Sequence, residues 1–281
     1  MFRLIAENPN GEQMELTNNP DYVITNIDGL NPPDATINMI DRAGRDGSTF
    51  NSAKVNVRQI ILDIAINGSA CDNRNNLYRY FQTARKVRLY YYNDIHEVYI
   101  DAYVQNAPVE FFAKKETVQI TLICPDPFWH GITDIEGRTN GVEALFSFPF
   151  SIETPIPFSD YYADHSARLW NPGSVESGIL IEIEASGAVT NPLIFHVNSD
   201  KYFRVNTTLQ SGDKLAISTK LDNKYITLTR GTAKTNLIAS RDLGSTWLRA
   251  VPGENVFTLK AASGVDNMNC LISFKSNLEG V

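Results

Sequence analysis

The sequence predicts a mainly β protein of two domains with one α-helix. Three observations carry that prediction. Runs of β-branched and aromatic residues, separated by Gly, Pro, Asn and Asp clusters, recur along the 281 residues. One stretch alone shows a helical period, with Leu77, Tyr80, Phe81 and Ala84 on one stripe. The string Cys124-Pro125-Asp126-Pro127-Phe128-Trp129 holds two prolines too close together for a central strand, and it divides the chain into domains 1–130 and 131–281.

The first strands flank the turn cluster Asn8-Pro9-Asn10-Gly11, and Tyr22-Val23-Ile24 leads to a second turn at Asp28-Gly29. Residues 35–40 read as a strand and 54–66 as a long β-branched run. The charged, glycine-rich stretch between them, 42–53, is expected to be the tip of a hairpin that projects from the body. It is longer than most hairpin connections, and long connections are often functional. Asp72 is the expected cap of the helix, with Arg85 and Lys86 near its end. Strands at 87–92, 96–104, 109–112 and 116–123 complete a sheet assembly with the helix laid across it.

The second half shows no helical period. Residues 145–158 are rich in Phe and Pro and read as extended and irregular. Strands follow at 178–184, 193–197, 202–205, 214–218, 225–229, 256–261 and 270–274, separated by turns such as Ser211-Gly212-Asp213 and Pro252-Gly253-Glu254. Many short strands at such spacing predict a β-sandwich.

Composition narrows the function. The net charge is −7, with 12 basic and 16 acidic groups through residue 133 and 13 and 16 from residue 134 on, so neither half concentrates positive charge as a nucleic-acid binder does. No apolar run is long enough to insert in a membrane, and the first residues read as a strand, not a secretion signal. Cys71, Cys124 and Cys270 have no paired spacing and are expected to be free, buried thiols of a chain made in a reducing cytoplasm.

The sequence predicts no catalytic, cofactor or metal site. His96, His130, His165 and His196 form no metal-ligand pair, and there is no nucleophile elbow or phosphate-binding loop. Gly44-Arg45-Asp46-Gly47 has no helix after it. Asp160, Asp164, Glu182, Glu184 and Glu254 contain enough carboxylates for a glycosidase, but Glu182 and Glu184 alternate with Ile181 and Ile183 like the solvent face of a strand. Trp129, Trp170, Trp247, Tyr161 and Tyr162 are either packing residues or a sugar-stacking platform.

Five motifs in order give the chain a resemblance. The string from Gln119 to Trp129 resembles the end of the ring domain of siphophage distal tail proteins. Trp170-Asn171-Pro172-Gly173, Gly187-Ala188-Val189-Thr190-Asn191-Pro192, Gly212-Asp213-Lys214-Leu215 and Leu248-Arg249-Ala250-Val251-Pro252-Gly253-Glu254-Asn255 resemble turns and strands of that family's second domain, the last with one residue inserted before the proline. The resemblance implies a non-enzymatic virion protein of the tail tip or baseplate. Its first domain, a β-sandwich with one helix, would form a homo-hexameric ring, the projecting arm clasping the neighbouring subunit. Its second would be a galectin-like β-sandwich. The implied partners are the tail tube protein, the tail hub or tail-associated protein, and a receptor-binding protein or host cell-wall saccharide. An independent carbohydrate-binding module is the alternative. Arg42, Arg45 and Asp46 are interface candidates because charges on a projecting loop need partners or solvent.

Overall fold

The structure is a computed structural model that describes residues 2–110, 116–139 and 165–281, together with the backbone of two short strands at 142–143 and 160–161. The chain forms two compact units, 1–132 with 277–281, and 133–276. The first unit opens with β1 (Arg3–Glu7), β2 (Gln13–Glu15) and β3 (Tyr22–Asp28). Next come β4 (Ala35–Asp41), β5 (Ser48–Val55) and β6 (Arg58–Ile66), then α1 (Ala70–Tyr80). β7 (Lys86–Tyr92), β8 (Glu97–Asn106), β9 (Val109–Glu110), β10 (Thr117–Cys124) and β11 (Trp129–Gly131) follow.

Its main sheet runs β2-β1-β7-β8-β10-β6-β3, with every neighbour antiparallel. Alternation builds the core: Ile60, Leu62 and Ile64 of β6 share a buried face with Ile120 and Leu122 of β10 and Ile100 of β8. Leu77 and Phe81 of the helix segment join that cluster.

The helix differs from expectation at both ends. Its N-cap is Ser69, whose hydroxyl donates to Asp72 (2.7 Å), so Asp72 lies inside the first turn. It stops at Tyr80, and Ala84 takes a φ of 61°, which leaves Arg85 and Lys86 outside the helix. The predicted run 54–66 is also two strands. Among the described residues β5 pairs only with β4, whereas β6 joins the main sheet. The predicted strand at 109–112 is described only at β9, its remainder lying outside the described residues.

The second unit contains β12 (Ile135–Arg138), the paired β13 (Val142–Glu143) and β14 (Asp160–Tyr161), and β15 (Ser166–Asn171). Next are β16 (Ser177–Gly178), β17 (Leu180–Ala185), β18 (Val189–Thr190), β19 (Leu193–His196), β20 (Lys201–Arg204) and β21 (Thr208–Leu209). The unit closes with β22 (Lys214–Lys220), β23 (Asn223–Arg230), β24 (Ala233–Asn236), β25 (Arg249–Ala250), β26 (Gly253–Lys260) and β27 (Met268–Phe274). A six-stranded sheet, β12-β27-β17-β22-β23-β24, and a four-stranded sheet, β15-β26-β19-β20, enclose one apolar core. Ile181, Ile183, Ile217 and Ile272 of the first sheet and Leu169, Ile194, Phe203 and Phe257 of the second belong to it. The Phe- and Pro-rich stretch 145–158 lies outside the described residues.

One boundary differs from expectation. A last strand, β28 (Asn277–Leu278), pairs with β11, so 277–281 belong to the first unit and not to the second. The reason is chemical: Trp129 and Leu278 pair across these strands, and Leu278 and Val281 pack on the first unit's core.

Candidate functional site: a projecting arm and its root

β4 and β5 form a sheet of their own, and their residues are exposed over nearly the whole length. Register sorts their side chains. Ala35 faces Val55, Ile37 faces Ala53 and Met39 faces Phe50, with a bulge between Asn38 and Met39. Since alternate residues share a face, those six side chains make one apolar side. Ile37, Met39 and Phe50 are 56%, 62% and 64% exposed. The opposite side is polar: Thr36 Oγ1 donates to Asn56 Oδ1 (2.8 Å) and Asn38 Nδ2 to Ser52 Oγ (3.0 Å), with Ile40 the apolar exception. The hairpin is thus patterned for a half-buried sheet, yet among the described residues its apolar side is left exposed.

The arm's tip is 42–47, shorter than the 42–53 expected, because Thr49, Phe50 and Ala53 pair as strand residues instead of looping. Gly44 and Gly47 turn it with φ of 75° and 85°. Arg42, Arg45 and Asp46 all sit there, exposed, and Arg42 Nε donates to Thr49 Oγ1 (2.5 Å). The charged tip was legible in the sequence. The apolar side was not singled out, although the alternation Ile37, Met39 against Phe50 carries it.

Arg58, the first residue of β6, was missed. It shares parity with Ile60, Leu62 and Ile64, so alternation turns it toward the buried face, and it is 3% exposed. Its Nε donates to Pro127 O (2.7 Å), Nη1 to Gly29 O and Asn31 O (2.5 Å each), and Nη2 to Glu279 O. Its guanidinium lies 6.0 Å from the Trp129 ring. Burial pushes this guanidinium below its usual pKa, and Cys124 and Glu279 oppose the shift. Nearby, His130 bonds Asn277 Oδ1 through Nδ1 (2.8 Å) and meets Asp126 Oδ2 at 3.3 Å.

The residues weighed for chemistry do not converge. His196 is buried between Ser199 Oγ (2.8 Å) and Asn255 Oδ1 (3.1 Å) and stacks on Phe257; burial lowers its pKa, with Asn255 opposing. His165 meets Asp266 at 3.2 Å, and His96 sits in the β7–β8 turn. Glu184 is ion-paired with Lys214, and Glu254 faces Arg168 at 3.7 Å. Asp164, Tyr162 and the side chains of Asp160 and Tyr161 lie outside the described residues. Trp129 is fully buried and Trp247 packs on Phe203, so neither offers a stacking face as expected of a platform; Trp170 is 65% exposed. Cys124 and Cys270 are buried free thiols pushed up by burial, Cys124 to about 12, whereas Cys71 is exposed, against expectation. Among the described residues no group of three or more His, Cys, Asp or Glu is placed to hold a metal ion.

Comparison with known proteins decides the family. Residues 9–124 match the phage tail protein RIFT-related domain, and residues 172–277 match the siphovirus-type tail component, C-terminal domain. The chain belongs to the siphophage distal tail protein family. It is thus a structural component of the phage tail. Among solved structures, the distal tail protein (gp 19.1) of phage SPP1, described as a paradigm of the hub adsorption apparatus in phages infecting Gram-positive hosts, shares the fold at a TM-score of 0.71, with 13% identity over 99% of each chain. Chains of the phage P2 baseplate in its activated conformation, with Ca and with Sr, match at TM-scores of 0.55 and 0.57 and identities of 15% and 14%, over 100% of each chain. No curated protein matches.

Three of the turns singled out in the sequence are closed by polar side chains that bond backbone. Asn171 Oδ1 accepts the Gly173 N–H (2.9 Å) while Nδ2 donates to Ala250 O (3.1 Å). Asp213 accepts the Gln210 N–H (2.8 Å) and the Arg230 guanidinium (2.6 Å). Asn255 accepts the Val251 N–H (2.8 Å) and donates to Val251 O and Gly253 O.

Proposed function

We propose that this distal tail protein is a non-enzymatic, ring-forming subunit. Six copies associate through the first unit, each arm laying its apolar side on a neighbour, and the ring joins the tail tube to the host-recognition apparatus. The observation that carries this reading is the arm itself, whose Ile37, Met39 and Phe50 are more than half exposed on one side of the hairpin. A cyclic ring needs two different complementary surfaces per subunit, and the projecting arm would supply one of them. Arg42, Arg45 and Asp46 at the tip would then set register by pairing across the interface.

The test is paired serine substitution, Met39→Ser with Phe50→Ser, followed by sedimentation velocity. Those side chains touch little of their own chain, so folding should be unchanged while association weakens by about 3 kcal/mol per contact. Association equal to the parent would remove the arm from the interface.

One observation favours a second reading, saccharide binding by the other unit. Trp170 stands on the outer face of β15 opposite Glu254, with Arg168 bridging to Glu254, so an open indole lies beside hydrogen-bonding groups. Binding of host cell-wall fragments that is lost in Trp170→Ala would support it; equal retention of parent and variant, or of neither, would sink it.

A further inference from the structure

We propose that residues 277–281 are a strap that, with Arg58, locks the root of the arm, so that joining through the arm is governed by a segment remote from it in sequence. The inference rests on the reading of the arm as the joining element. Its starting point is that the arm cannot hold itself. Among the described residues β4 and β5 pair only with each other, and an isolated two-stranded hairpin is marginal in water. Its pose relative to the sheet of its own unit is therefore set where it leaves and returns.

The departing side is 29–34, between the end of β3 and the start of β4. Its backbone is satisfied from outside. Three successive carbonyls, Gly29, Leu30 and Asn31, accept from Arg58 Nη1 (2.5 Å), the Val281 N–H (3.2 Å) and Arg58 Nη1 again (2.5 Å). Arg58 reaches the strap as well, donating Nη2 to Glu279 O, 221 positions away in the chain. Thus one guanidinium binds root and strap together, and the strap's own amide closes the gap between its two contacts.

Packing repeats the arrangement. Gly280 lies against the root so closely that a Cβ would sit 3.0 Å from both Pro32 Cδ and Pro32 N. Leu278, Val281, Leu30 and Ile27 all pack on the first unit's core. The strap is itself anchored upstream by β28–β11 pairing and by the Asn277–His130 bond. Gly29 fits the same logic: φ is +89° and a Cβ would fall 2.1 Å from Gln59 O, so the root passes β6 at backbone contact. On the returning side, the Asn56 N–H donates to Asp34 O (2.9 Å) and closes the hairpin base. A loose root would leave the arm to be ordered at association, and ordering opposes binding.

The test uses the full chain carrying Gly280→Val, with Gly280→Ala as the milder wedge should valine impair folding. Hydrogen–deuterium exchange is followed in peptides covering 29–34 and Asn56, and association is measured in parallel. The expected result is exchange about tenfold faster at 29–34 and Asn56, parent-like exchange in β6 and β10, and association about tenfold weaker. Unchanged exchange at the root, or acceleration spread evenly through β6 and β10, overturns the lock. Faster root exchange with undiminished association overturns its role in joining. If the parent chain never associates, the ring reading fails, and root exchange alone decides whether the strap holds the arm.

Discussion

Replacing Arg58 by methionine isolates the guanidinium from its aliphatic stem, since methionine fills much of the same buried volume. The parent side chain donates four hydrogen bonds from a buried cation, to Gly29, Asn31, Pro127 and Glu279. Hydrogen bonds to charged groups are worth about 1.5–3 kcal/mol each. Four of them set a ceiling of roughly 12 kcal/mol, from which the desolvation of the charge must be subtracted. A net loss of about 4 kcal/mol is the expected outcome, in the range for breaking the bonding of a buried ion. With an unfolding entropy of about 2.1 cal/mol/K per residue, the first unit should then melt about 14 °C lower. Trp129, fully buried beside Arg58, reports that unit selectively once Trp170 and Trp247 are replaced by phenylalanine. Urea unfolding followed at Trp129 gives the free energy. A loss below about 1 kcal/mol would refute the reasoning, because it would mean that relaxed carbonyls and water replace the cation.

Two further outcomes follow from named groups. Burial opposes the charged form of His130, but its bonds to Asp126 and Asn277 and the Asp126 charge outweigh this, so its pKa is raised. A raised histidine stabilises fully below the unfolded value of about 6.5 and loses that contribution as pH climbs through the folded pKa. First-unit stability should therefore decline across that window above 6.5, and His130→Gln should flatten the decline; an unaltered slope in urea titrations contradicts it. Asn255→Ala strips half-buried Val251 and Gly253 backbone of partners and leaves buried His196 Nε2 without one, so a loss on the order of 2 kcal/mol is expected in the second unit by chemical denaturation. A change within about 0.5 kcal/mol would show that the turn holds without its side chain.

The fold class was legible because the local signals agree with one another. Ile60, Leu62 and Ile64 alternate as a strand must, and Leu77 and Phe81 space themselves as a helix does. The turns were legible because each holds a polar residue that bonds backbone of its own segment, Asn171 to Gly173, Asp213 to Gln210 and Asn255 to Val251. Edge details were not. Ser69 caps α1 in place of Asp72, and the run 54–66 breaks at Asn56, whose N–H turns to Asp34. Ser166–Asn171 gives alternating apolar residues too short to separate from the turn that follows. The strap escaped notice because its contacts are long-range: no local pattern in Leu278-Glu279-Gly280-Val281 says that Arg58 awaits it. Arg58 did leave a trace, a charge at an inward-facing strand position, which asks for a buried partner.

If this tail component assembles with copies of itself, the mass of the full chain in solution will show it. Light scattering behind a sizing column, run across a wide concentration range, should give a species six times the 31.4 kDa subunit mass. A mass of one subunit at every concentration would contradict the account.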